Sequence, residues 1–370
     1  MTAAVPQATP SARHDSGPLG LPWWAWGAPL AALAVTLLKL AHVAMPVWLL
    51  APVLVAAVLA AVHHAEVIAH RIGEPFGTLV LALAVTTIEV ALIVSLMLAG
   101  GAETTALARD TVFAAVMIII NGIVGLCLLV GGLRYSEQSF NLSGASAALT
   151  VLAALTTLTM ILPNVTVTTP GPTYAPLQLT FVAIVSVVLY LTFVLVQTVR
   201  HRDYFLTDGP DIGHGSLPSG AAMLAATLLL AVALVGVVMI GKALAPTIEA
   251  GVVALGAPQA LVGVIIAAIV LMPEGLAAVR AANNNRLQDS LNLALGSALA
   301  SIGLTIPAVA VVSLLLGFPL TLGITDEDTV LLILSLFVAV LSLRTGRTTI
   351  LNGVVHLVLF ATYLFLVILP

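Results

Sequence analysis

Residues 81–98 read LALAVTTIEVALIVSLML, and residues 262–279 read VGVIIAAIVLMPEGLAAV. Each is an apolar run close to the ~20 residues that cross a bilayer as a helix. Each also holds one acid near its middle, Glu89 in the first and Glu274 in the second. An acid at a helix centre costs about 2.5–3.5 kcal/mol on insertion scales, so such residues face an internal cavity and mark an ion or proton path. A protonated glutamate hydrogen-bonded to a neighbouring helix is the alternative. It accounts for one such residue more easily than for two in related positions.

The rest of the chain agrees with a lipid setting. Of 370 residues 61% are hydrophobic and 8% are Asp, Glu, Lys or Arg, and the mean hydropathy is +1.18. Soluble domains carry about 25% charged residues, and disorder needs the opposite composition. The runs are long and do not alternate, which excludes a β-barrel. The net charge is −4, and the basic residues lie singly or in pairs, so no patch suits a nucleic acid. The single cysteine, Cys127, sits in an apolar run as packing and forms no disulfide framework. No GxxxxGK[ST], HExxH or GxSxG sequence is present, so neither an ATP-driven pump nor an intramembrane hydrolase is supported, and no cofactor is expected.

Apolar runs and polar breaks predict eleven spans, near 25–42, 46–63, 75–99, 111–133, 144–163, 177–199, 220–243, 257–280, 289–316, 328–343 and 348–369. With the N-terminus in the cytosol, nine basic residues fall inside: Arg13, Arg71, Arg134, Arg200, Arg202, Arg280, Arg286, Arg344 and Arg347. Three fall outside: Lys39, Arg109 and Lys242. That bias predicts a multi-pass membrane protein with its N-terminus cytosolic and its C-terminus outside. The outer loops would hold Glu103, Asp110, Glu249, Asp326, Glu327 and Asp328, either as a cation-favouring mouth or as plain solvated loop.

Glu89 and Glu274 lie 185 residues apart, half the chain length, and five spans apart. An odd number of spans inverts direction, so the spans run opposite ways through the membrane. This is the geometry of a 5+5 inverted repeat, whose binding site lies at the midplane between the halves. The expected organisation is a disordered cytosolic tail (1–24), an extra helix (25–44), a first repeat (45–199), a cytosolic linker (200–219) and a second repeat (220–370). Thr86 and Thr87 would supply oxygens beside Glu89. Pro273, next to Glu274, removes a helix hydrogen bond and frees a carbonyl. Asn121, Ser297 and Ser301 follow in the next spans. The two serines fit a binding site or plain helix contacts equally well.

GEPFGTLVLALAVTTIEVALI (73–93), INGIVGLCLLVGGLRYSEQSFN (120–141) and PEGLAAVRAANNNRLQDSLNLALGSALASIGLTIPAV (273–309) resemble the two repeat regions of the cation/proton exchangers. These belong to the calcium/cation antiporter superfamily. The best likeness is to the bacterial ChaA-type sodium/calcium–proton antiporters, which RHRDYF (200–205) also resembles. The resemblance implies that Glu89 and Glu274 bind the cation and that Asn121 and Gly296-Ser297 assist. It also implies a departure: many relatives have Gly-Asn before each acid, where this chain has Val85-Thr86 and Val270-Leu271. A first-repeat Gly-Ser appears here as Val116-Met117, and a second-repeat glutamine as Ala300. Fewer side-chain oxygens imply weaker or broader cation selectivity.

The expected function is therefore antiport of Ca²⁺ against H⁺ by alternating access, with Na⁺ or K⁺ exchange through the same site as the alternative. Glu89 and Glu274 would be the metal ligands. Thr86, Thr87, Asn121, Ser297 and Ser301 would complete the six to eight oxygens that Ca²⁺ takes. The partners are membrane lipid, inorganic cations and protons, in a monomer or a homo-oligomer. A channel is less favoured, because channels use rings of equivalent groups. His63, Glu66 and His70 share one helical face near the end of the second span. They fit either a transition-metal site or an interfacial polar cap that senses pH.

Overall fold

The computed structural model describes residues 17–43, 45–73, 76–100, 105–206 and 217–369. These form eleven long helices and almost no strand. In chain order the helices are α1 (Trp23–Leu40), α2 (Val47–Ile72), α3 (Phe76–Gly100), α4 (Leu107–Tyr135), α5 (Leu142–Val165) and α6 (Pro176–Arg200), followed by α7 (Gly220–Ala254), α8 (Ala260–Asn283), α9 (Leu287–Leu316), α10 (Asp326–Leu343) and α11 (Ile350–Ile368). Ten are long and apolar enough to cross a membrane. The other, α10, carries Asp326, Glu327 and Asp328 in its first turn, where acids complement the helix dipole. The protein is an all-α integral membrane protein.

Several boundaries differ from the expected ones. Helix α1 begins at Trp23, so the last two residues assigned to the tail are helical. Residues 1–16 of that tail, Glu103, and 207–216 of the linker lie outside the described residues. Helix α7 continues through Pro246 to Ala254, which puts Lys242 and Glu249 in its last turns and not in a loop. Lysine can keep its charge in water from such a position because its apolar stem lies along the helix. Helix α2 runs on to Ile72 and carries His63, Glu66 and His70 within it.

Helices α4, α8 and α9 form the centre. Helix α4 packs on α8 and α11, α8 on α9, and α2 on α1, α3 and α7. The approach of α11 to α4 depends on Gly353, where a Cβ would stand 2.5 Å from the Leu129 backbone nitrogen. Polar atoms on outward faces are satisfied within their own helix. Thr180, Thr192, Thr227 and Thr362 each donate to the carbonyl four residues earlier, at 2.7–2.9 Å. A hydroxyl bonded this way carries no unmet donor into lipid.

The halves are tied together at both ends of the bundle. At one end, Arg134 donates to Asn283 Oδ1 (3.0 Å) and the Tyr135 hydroxyl to the Asn283 carbonyl (2.9 Å). Gln138 donates to the Ala282 carbonyl (3.0 Å) and to Asn285 Oδ1 (3.1 Å). The short strands β1 (Gln138–Ser139) and β2 (Arg347–Thr348) pair antiparallel beside it. GGLRYSEQSFN is thus an inter-half clasp. Its Gly131 leaves the room that Gln138 occupies, since a Cβ there would fall 1.6 Å from Oε1. At the other end, Arg109 donates to the Gly323 carbonyl (3.0 Å), Thr321 N to the Thr105 carbonyl (3.1 Å) and Asn164 to the Ile324 carbonyl (2.6 Å).

Candidate cation site

Glu89 projects from the middle of α3 and Glu274 from the middle of α8, and both are buried, at 3% and 7% exposure. The two carboxyl groups lie within electrostatic reach of each other, and Glu66 of α2 is also within reach of Glu274. Glu89 Oε2 accepts from the Ser301 hydroxyl at 3.0 Å and from the Thr305 hydroxyl at 3.1 Å. Among the described residues, its Oε1, and Oε2 of Glu274, have no hydrogen-bond partner. Native proteins pair nearly all buried polar atoms, so an unpaired one calls for an explanation.

The local sequence explains the aim of the two hydroxyls. Residues Ser301–Thr305 form one π-helical stretch inside α9, a feature that recurs at functional sites. Ser301 and Thr305 are four residues apart and project on one side of α9, toward α3. On α8, Pro273 has no N–H to give the Ile269 carbonyl. Gly275 brings α8 close to α4, where a Cβ would stand 3.2 Å from Ile123 Cδ1.

A cavity of about 430 Å³ opens onto Glu274. Thr86, Ser297 and Ser301 line it near the acid, and Asp289, Asn292 and Arg202 line it toward the clasp end. The segment after α6 borders that end. Asn292 donates to the Phe205 carbonyl at 2.6 Å, and Phe205 stacks edge-on against Phe193. Apolar walls with few polar groups are the usual make-up of a small-ligand site.

The five residues expected to assist therefore separate into groups. Thr86, Ser297 and Ser301 meet at the cavity. Thr87 does not: its hydroxyl donates to the Leu83 carbonyl at 2.6 Å on an exposed face. A helix turns 100° per residue, so the position two before Glu89 points away while Thr86, three before, stays on its side. Asn121 is fully buried but is not among the cavity's lining residues. Its amide donates to Ser335 Oγ at 2.8 Å, and its oxygen lies 3.1 Å from His356 Nδ1. Thr305 was not anticipated from sequence. The signal was there, because it repeats Ser301 at a helical interval of four.

The transition-metal reading of His63, Glu66 and His70 is not met. Among the described residues, no group of three or more His, Cys, Asp or Glu is arranged to hold a metal ion. The His63 ring instead packs 5.0 Å from that of Trp24, and Glu66 is exposed.

Comparison with known proteins follows the same lines. The sodium/calcium exchanger protein family matches residues 43–199 and 225–369. The chain is similar to the "Putative ionic transporter y4hA" of Sinorhizobium fredii, 49% identical over 95% of this chain and 97% of that one. It is also similar to the sodium-potassium/proton antiporter ChaA of Escherichia coli, 37% identical over 82% and 83%. Among solved structures, native YfkE superposes with a TM-score of 0.70 at 20% identity, covering 94% of this chain and 100% of that one. The H⁺/Ca²⁺ exchanger CAX gives 0.70 at 15% identity, covering 92% and 87%. These relatives are transporters and not enzymes. With the family matched over most of its length, the chain belongs to the sodium/calcium exchanger protein family.

Proposed function

We propose that this protein is a proton-coupled cation antiporter in which Glu89 and Glu274 bind either the cation or protons. The observation that carries the proposal is the pair of buried mid-helix carboxyl groups, within electrostatic reach, each with an oxygen that no group among the described residues satisfies. Exchange follows from charge. With Ca²⁺ bound to two carboxylates the site is neutral, and with both acids protonated it is neutral again. Empty and doubly ionised, it would hold two buried negative charges, whose desolvation costs well beyond a few kcal/mol. Only the loaded forms then change access readily. Thr86, Ser297 and Ser301 complete the oxygen shell from the cavity wall, and Thr305 holds Glu89 beside them.

The cargo we propose first is Ca²⁺, because two carboxylates balance its charge. The second reading is Na⁺ or K⁺, and the 37% identity to a sodium-potassium/proton antiporter favours it. A monovalent ion leaves one acid to keep a proton if the site is to stay neutral. The proposed setting is the bacterial inner membrane with the clasp end cytosolic, supported by the nine-to-three basic bias. The 5+5 inverted repeat belongs to the same proposal and is supported by the match of the family to two separate segments.

The test is proton flux in proteoliposomes with Ca²⁺, Na⁺ and K⁺ added separately. Glu89→Gln and Glu274→Gln should each abolish cation-driven proton movement while the protein remains folded. More than about a tenth of wild-type exchange in either variant would remove that acid from the mechanism.

A further inference from the structure

Cation paths are ordinarily lined by acids and neutral oxygens. The cavity that opens onto Glu274 departs from this at its clasp end, where Arg202 lines it. The placement of this arginine is built into the fold. Arg202 opens a short 3₁₀ turn, Arg202–Tyr204, directly after α6. Asn292 of α9 holds the turn by donating to the Phe205 carbonyl at 2.6 Å, and the buried Phe205 ring packs edge-on against Phe193 of α6. Gly144 of α5 leaves the space that the Tyr204 carbonyl occupies, since a Cβ there would stand 2.5 Å from that oxygen. The His201 and Tyr204 rings stack at 4.9 Å. Three helices thus fix the backbone that carries Arg202.

Nothing that lines the mouth cancels its charge. The other charged lining residues are Glu274, at the far end, and Asp289. Asp289 pairs with Arg286 at 2.5 Å. Among the described residues, the Arg202 guanidinium forms no hydrogen bond or ion pair. Asp203, its neighbour in sequence, is exposed and is not among the lining residues. A cleft with apolar walls focuses the field of a fixed charge along its length. The energy of an ion in that field is proportional to the ion's own charge, so a dication is opposed twice as strongly as a monocation.

We infer that Arg202 is a specificity-determining residue that filters cations by valence, admitting monovalent ions to the acids and holding back divalent ones. Discrimination of this kind comes from a repulsive element set against the wrong ligand. The inference rests on the reading that the cavity leads cations to Glu89 and Glu274, and it favours Na⁺ or K⁺ among the cargoes of that site.

The experiment measures apparent KM for Na⁺ and for Ca²⁺ at each face, in everted and right-side-out membrane vesicles, for wild type, Arg202→Gln and Arg202→Lys. Where one ion is not carried, its inhibition constant against the other is read in its place. At the Arg202 face, Arg202→Gln should lower the Na⁺ value about threefold, a size that an exposed charge reaches. The Ca²⁺ value should fall by the square of that factor, about ninefold. Values at the opposite face should not change, and Arg202→Lys, which keeps the charge, should match wild type. Arg202 is exposed, so screening is part of the test. In about 1 M choline chloride, where the Debye length is about 3 Å, wild type and Arg202→Gln should converge. A purely structural role would move both ions by one factor at any salt concentration. Equal changes for the two ions, no change, or a gap that persists in high salt would each overturn the filter. Glu89→Gln and Glu274→Gln in the same vesicles separate the failures. If either retains exchange, the shared site falls. If both abolish exchange while Arg202→Gln gives one of the overturning results, the filter alone is refuted.

Discussion

Removing the Ser301 hydroxyl should weaken cation binding by about tenfold without unfolding the protein. Ser301 Oγ lies 3.0 Å from Glu89 Oε2 in a site that is 3% exposed. A hydrogen bond to a charged group contributes about 1.5–3 kcal/mol. Thr305, at 3.1 Å from the same oxygen, remains, so the lower end of that range applies. About 1.5 kcal/mol corresponds to roughly tenfold in affinity or one pH unit. The sign follows from which form the hydroxyl favours. Its donor stabilises the carboxylate, so Ser301→Ala lets protons compete better, and half-maximal cation binding should move about one unit toward alkaline pH. The assay is cation-driven proton flux in proteoliposomes between about pH 6 and 9. Ser301→Thr serves as the variant that keeps the hydroxyl, and thermal melting in detergent serves as the folding control. A Ser301→Ala protein with KM within twofold of wild type and an unmoved pH profile would refute a functional role for this bond.

Thr87→Val should leave exchange within about twofold of wild type, since its hydroxyl bonds Leu83 on an exposed face; a tenfold loss in the same flux assay would reinstate Thr87 as a ligand. Gly353→Ala should lower the melting temperature in detergent sharply, because the added Cβ meets the α4 backbone and overpacking costs about 1–3 kcal/mol or more; unchanged melting would show that α11 can shift freely. Maleimide that cannot cross membranes should label Asp326→Cys in intact cells and Glu137→Cys only after permeabilisation, with little background from buried Cys127; the reverse pattern would invert the proposed orientation. Raising pH from about 6 to 9 should strengthen cation binding in the wild type and in a His63→Gln/His64→Gln/His70→Gln triple variant alike, because the competition lies at the glutamates; a pH-independent wild-type curve would leave shared-site exchange unsupported.

The eleven long helices were legible because lipid imposes one requirement, an apolar run of sufficient length, and ten of the eleven predicted spans meet it, α10 being the exception. The requirement is looser at helix ends. Lys242 and Glu249 look like loop residues by charge, yet α7 keeps them in its final turns, where long side chains reach water. The two acids were legible for the converse reason: mid-span charge has no inexpensive explanation. Their companions were less so. Thr87 stands beside Glu89 in sequence but opposite to it around the helix, a distinction that the 100° rotation supplies. For Asn121 no such rule suffices, because the π turn at Ile118–Ile123 shifts the helical register at that residue. Its partners, Ser335 and His356, lie in spans that carry no recognisable motif. Thr305 carries its signal only in relation to Ser301, four residues before it on the same side of α9.

The ties at both ends of the bundle bear on how force passes through the molecule. From the clasp at Arg134, Tyr135 and Gln138 to the contacts of Arg109 and Asn164, helices α4 and α5 are bolted to the second half at both membrane faces. Helix α3 joins that frame through Ser301 and Thr305, and the attachment point is the carboxylate of Glu89 itself. The ionisable group is therefore also a mechanical joint. On the proposed reading, protonating it or lending its oxygens to a cation would change the strength with which α3 grips α9, so occupancy would be felt as stiffness at the seam between the clamped frame and α3.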